Sequence, residues 1–186
     1  LFNGSIDQVR IFDKALSSTE VTTLYGETHA STTIETTDIF NDNSGVALYQ
    51  LDGNANDTGG VSGYIGEGAI FNGSSSRVHI SGLTIPSTTT ISMWVKPHNS
   101  TASGYLFSSQ TSDFRREYPA LIWIPTSSTY NGFAAIYTQN AGYITSSSVA
   151  SANEWHHVVC IKNSDGSGSM YVDIVLIGTV VANTTH

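Results

Sequence analysis

The chain has 186 residues, a formal net charge of −8, 39% hydrophobic residues and only 12% charged ones. That length suits one sizeable core with an appendage, and the acidic balance argues against nucleic acid or an anionic membrane surface as a partner. No apolar run is long enough to span a bilayer, so membrane insertion is not expected.

The first predicted element is a strand in Ser5–Phe12. A helix follows, with Ser17 as its cap and Glu20 closing a capping box. Leu16 and Val21 have hydrophobic-staple spacing, Val21, Leu24 and Tyr25 form an apolar stripe, and Gly26 offers a stop. Residues 28–45, rich in Thr, Ser, Asn and Asp, read as a linker or exposed crossing loop.

From there on the chain reads as strands and turns. Val46–Leu51 ends at Asp52-Gly53. Ala69–Phe71 and Arg77–Ile80 flank the turn Asn72-Gly73. Thr90–Lys96 alternates Ile91, Met93 and Val95 with Ser92, Trp94 and Lys96, and stops at Pro97. Tyr105–Ser108, Ala120–Ile124, Phe133–Tyr137, Tyr143–Ser146, Trp155–Lys162 and Met170–Val175 complete the set. Many short strands between Gly-rich turns predict an all-β sandwich or jelly roll. Phe2-Asn3-Gly4-Ser5 recurs as Phe71-Asn72-Gly73-Ser74, two similar turn-to-strand entries in which Asn-Gly supplies left-handed backbone.

Neither an initiator Met nor a signal peptide opens the chain, so it reads as a fragment, a processed form or an excised module. Cys160 stands alone in an apolar run, where a buried, inert thiol is expected. Asn-x-Ser/Thr occurs at Asn3, Asn56, Asn72, Asn99 and Asn183, read as chance matches in a Ser/Thr-rich chain.

Several stretches resemble the concanavalin A-like jelly roll of laminin G type, in its LamG-like subgroup. They are Gly66–Gly73, Thr90–Pro97, Glu154-Trp155-His156-His157-Val158-Val159 and Met170-Tyr171-Val172-Asp173. Phe2–Phe12, with Lys14–Ser17 and Glu20-Val21, resembles the segment that closes such domains, yet here it comes first. The resemblance implies a concanavalin A-like jelly-roll sandwich of two antiparallel sheets with one short helix near the N-terminus. It divides the chain into a closing strand and helix (1–27), a linker (28–45) and a LamG-like domain (46–186). Residues 1–27 either close their own domain, as in a permutation, or serve a neighbouring unit. In both cases strand 5–12 is expected to pair with strand 46–51. The family's hairpin after Tyr171-Val172-Asp173 carries Gly; here Ile174 stands there, and a primed turn would be strained, so a rearranged hairpin is expected.

Glycosidases of this fold aim paired carboxylates into a cleft. The acidic residues here are scattered and no strand carries Glu-x-Asp-x-x-Glu, so no enzyme is expected. His156 and His157, adjacent on a strand, point to opposite faces and cannot share a metal ion. Calcium needs clustered oxygens. Asp52, Asn54, Asn56 and Asp57 crowd one loop, and Asp7 approaches it if the strands pair as expected; Asp7, Asp52, Asn54 and Asp57 are the candidate ligands, against an ion-free Asx-rich turn. Sugars need aromatic faces flanked by polar side chains. Arg115, Arg116, Tyr118, Trp123, Tyr130 and Asn131 form the richest such group, with Trp123 equally suited to the core.

The resemblance thus implies a non-catalytic carbohydrate-binding or adhesion module of an extracellular, cell-surface or virion-surface protein. Its expected partners are a glycan or cell-surface glycoprotein and neighbouring copies of the same domain. The alternative is a building block of a fibre, capsid decoration or tandem array linked by donation of strand 5–12.

Overall fold

The computed structural model describes residues 1–27, 38–49, 51, 61–62, 67–80, 82–98, 103–110, 116–124, 132–136, 143–146 and 150–182. Within strands, the side chains of 61, 62, 67, 109, 110, 116–119, 136 and 143 are outside the description. The elements are β1 (Asn3–Phe12), α1 (Ser18–Tyr25), β2 (Gly45–Tyr49), β3 (Val61–Ser62), β4 (Glu67–Asn72), β5 (Thr89–Pro97), β6 (Gly104–Gln110), β7 (Arg116–Ile124), β8 (Gly132–Ile136), β9 (Tyr143–Thr145), β10 (His156–Lys162), β11 (Gly168–Val172) and β12 (Val175–Val180).

They form two antiparallel sheets. The larger runs β12-β11-β10-β5-β1-β4-β3, with β2 also on β1; the smaller runs β6-β7-β8-β9. Ile6, Ile91, Met93, Val95, Val158, Cys160, Met170 and Val172 of the large sheet meet Leu121, Trp123, Phe133, Ala135 and Ile144 of the small one. Strand alternation sends the intervening residues to the large sheet's other face. There Phe12, Val159 and Ile161 are covered by Leu16, Val21 and Leu24. The centre of the sheet is therefore buried on both faces, so β5 and β10 are buried almost throughout. Cys160 is buried and reduced, as its apolar setting predicts.

Helix α1 forms as its capping signals require. Ser17 N–H donates to Glu20 Oε2 at 2.8 Å and Ser17 Oγ accepts from Glu20 N–H at 3.3 Å. Eight residues would not hold as an isolated helix. Burial of Val21 and Leu24, about 1.5–3 kcal/mol for each such side chain, supplies what propensity does not. Lys14 then fastens the β1–α1 turn to residues 38–44. Its Nζ lies 2.5 Å from Glu20 Oε1, also binds Asp42, and sits 4.7 Å from the Phe40 ring centre.

β1 is the central strand. One edge pairs with β5, with Ile6 opposite Val95 and Ile11 opposite Ile91. The other edge is shared: β4 takes Asn3–Ile6 and β2 takes Val9–Phe12. The expected partnership between strand 5–12 and strand 46–51 is thus present within this chain. The two Phe-Asn-Gly-Ser copies turn out to be partners, with Asn3 opposite Asn72 and the rings of Phe2 and Phe71 6.2 Å apart. Gly73 has the expected positive φ of 75°, whereas Gly4 is extended inside β1.

Two strand expectations change. Arg77–Ile80 is irregular and exposed. Asn72 Oδ1 instead draws in the N–H groups of Ser74, Ser75 and Ser76, and the chain leaves the ladder there. Met170–Val175 is split between β11 and β12. Their hairpin keeps the two-residue turn, Asp173 (φ 50°) and Ile174 (φ 64°), between the paired Val172 and Val175, so it is not rearranged. Asp173 explains this. Its N–H donates to His157 O at 2.9 Å and its Oδ1 accepts from His157 N–H at 2.8 Å, which fixes the turn whatever follows it.

Candidate functional site

On β1, between the end of the β4 ladder and the start of the β2 ladder, stand Asp7 and Gln8. A register shift between Asp7 and Arg10 marks a β-bulge, and Gln8 adopts φ 49° there. Non-glycine residues in this region cost energy and concentrate at functional positions. Leu51, just beyond β2, is a second, with φ 59°. Asp7 is completely buried and Gln8 is 3% exposed. Neither Gln8 Nε2 nor Gln8 Oε1 has a hydrogen-bond partner. Buried orphan amides are rare and point to an ion or water that completes them.

Of the sequence-predicted cation ligands, Asp7 alone falls within the described residues; Asp52, Asn54 and Asp57 lie outside them. Topology nonetheless ties their loop to Asp7 at both ends. Tyr49, before the loop, lies opposite Val9, and Ala69, after it, lies opposite Ile6. A buried carboxylate beside an orphan amide carbonyl offers the hard oxygen donors that calcium takes, so the chemistry present fits that ion. Among the described residues no cluster of three or more His, Cys, Asp or Glu side chains forms a metal site.

Beside this bulge a cleft of about 930 Å³ opens between β1, β2 and β4 of the large sheet and edge strand β6 of the small one. Val9, Ile11 and Leu51 line its floor, Tyr49, Phe71, Tyr105 and Phe107 its walls, and Arg77 and His79 its rim. A concave apolar surface carrying a few polar groups is the usual form of a small-ligand site. Sequence reasoning missed these residues, because Arg77–Ile80 read as one more strand. Its exposed Val78 (46%) and Ile80 (38%) are what that reading could not show.

The predicted glycan group is dispersed by the fold. Trp123 is 3% exposed and its ring lies 5.0 Å from Phe133 in the core, so its indole face is not available for stacking on a sugar. This corrects the expectation for Trp123. Arg116 and Tyr118 stand in the first half of β7, of which the backbone alone is described. Arg115, Tyr130 and Asn131 lie outside the described residues.

The histidine pair divides as predicted, one on each face. His157 packs against Trp94 at 5.1 Å and Tyr25 at 6.0 Å, with Nε2 2.7 Å from Ser92 Oγ; burial pushes its pKa down to about 4. His156 meets Phe133 edge-on, its Nδ1 2.7 Å from Asp173 Oδ2 and its Nε2 3.0 Å from Ser151 O. Burial opposes its charge, but the hydrogen bond and charge of Asp173 outweigh burial and raise its pKa. Both histidines are held by the fold rather than aimed at a common ion.

The model of the concanavalin A-like lectin/glucanases superfamily, laminin G type, matches residues 72–186. The chain belongs to this superfamily. No curated protein and no solved structure matches it. For a laminin G-type domain the two-sheet sandwich is the shared frame, and the matched region runs from the end of β4 through β12. Strand β1 and helix α1 precede it. The superfamily includes glucanases as well as lectins, and membership supports a carbohydrate-binding module.

Proposed function

We propose that this domain is a non-catalytic carbohydrate-recognition module of an extracellular or surface-exposed protein, completed by its own residues 1–27. Superfamily membership carries the reading, and the cleft beside Gln8 gives it a place. Sugar rings stack on aromatic faces while their hydroxyls take polar partners. Tyr49, Tyr105 and Phe107 supply the former, and Arg77 and His79 the latter. Asp7, Asp52, Asn54 and Asp57 hold a calcium ion that fixes the 52–57 loop beside the cleft. Arg115, Arg116, Tyr118, Tyr130 and Asn131 form a second contact region.

A glycan array probed with and without calcium tests the proposal. Reproducible hits are expected, weakened about tenfold by Arg77→Ala, a loss of ~1.4 kcal/mol in line with one charged hydrogen bond. Tyr118→Ala and Tyr130→Ala report separately on the second region. A blank array from folded protein in both conditions sinks the reading, and release of reducing sugar from any bound glycan sinks its non-catalytic part. Calcium at about 100 times its Kd should stabilise the wild type by ~2.7 kcal/mol, and Asp7→Asn should lose that gain.

A further inference from the structure

Strand β12 ends the large sheet. Beyond it, among the described residues, no strand continues the ladder. Edge strands are normally blunted by charge, proline or shortness, and β3 at the opposite end has only two residues. β12 has no such protection in its composition: from Ile174 to Ala182 there is no Lys, Arg, Asp, Glu or Pro. It is also apolar where it is open. Ile174, Val175 and Leu176 are 44%, 53% and 49% exposed, and Val181 is 82% exposed. Its one irregularity is a register shift that leaves Ile177 as an extra residue between two extended runs.

We propose that two copies of this chain join through β12, edge to edge, into one continuous sheet. A second copy fits this edge for two reasons. The chain carries a formal charge of −8, so two copies repel over most of their surfaces. A stretch without charge is where that repulsion is weakest. An antiparallel strand is also self-complementary about a twofold axis. Half a turn sets β12 against its own copy in the sense that already relates β10, β11 and β12, and the interface closes at two.

Sedimentation of the 186-residue chain over a wide concentration range tests this. The mass should rise from 19.9 kDa towards twice that value, and added salt should promote the rise by screening repulsion. Amide exchange in 174–181 should slow in step. The double variant Leu176→Lys, Thr179→Lys should remain at the monomer mass with unchanged circular dichroism and melting temperature. A wild type fixed at 19.9 kDa overturns the proposal, as does a folded double variant that still dimerises. Open-ended assemblies overturn it too, because a twofold edge pairing stops at two.

Discussion

His156 Nδ1 lies 2.7 Å from Asp173 Oδ2, so the loop before β10 is clasped to the turn between β11 and β12. Protonated, the ring donates to both Asp173 and Ser151 O, 3.0 Å away. Because folding raises the pKa of His156 above 6.5, its contribution is fully present below that unfolded value. It is lost as pH rises through the folded pKa. Asp173→Asn keeps an oxygen for His157 N–H but removes the charge. It should lower stability by about 1–2 kcal/mol near pH 6, with the deficit shrinking in alkali. Urea unfolding across that range checks this; a deficit that does not vary with pH refutes the clasp.

His157 works in the opposite direction. Its folded pKa of about 4 lies below the unfolded 6.5. Its stabilising effect is therefore present above 6.5 and fades as pH falls towards 4. His157→Gln should flatten that acid limb even though it costs packing against Trp94 and Tyr25. The slope of stability against pH, rather than its absolute value, is the measurement to make.

Ile174 sits at φ 64° with its side chain 44% exposed, so it bears backbone strain without core packing in return. Ile174→Gly should raise stability by about 1 kcal/mol, seen as a higher melting temperature. A lower one means that the Ile174 side chain contributes more than its backbone costs.

Gly104, at the start of β6, leaves no room for a methyl group. A Cβ there would lie 2.1 Å from Phe2 N and 2.2 Å from Phe2 Cα. Gly104→Ala should push the Leu1–Phe2 segment off the small sheet and cost about 2–4 kcal/mol. Proteolysis should then cut first near residue 2. A variant as stable as the wild type would show that the N-terminal segment does not dock there.

Helix α1 was legible to within a residue, because Ser17, Glu20, Leu16 and Val21 act locally and each has a fixed offset from the cap. The alternation in Thr90–Lys96 located β5, and family spacing located the sandwich. What escaped the sequence was non-local. Trp123 and Tyr118 are both aromatic residues on β7, and which one faces the core depends on Phe133 across the sheet. The cleft depends on Arg77–Ile80 leaving the ladder, which Asn72 decides by turning its side chain onto the next three amides. Gln8 reads as an ordinary polar residue until a bulge places it, buried, in left-handed backbone.

The central place of β1 also dictates the order in which this protein can be assembled. β1 precedes every strand it pairs with, and its longest ladder is to residues 90–97. Until that stretch exists, the middle of the large sheet has no neighbour on one side, and the Asn3–Ile6 stretch must wait for β4. Closing such long loops before any reward from pairing is slow. The chain should therefore fold late and almost all at once, with half-made forms exposing Ile6, Ile11 and Phe12 to each other's edges. A helper that shields residues 1–12 during synthesis would raise yield more than any single stabilising substitution.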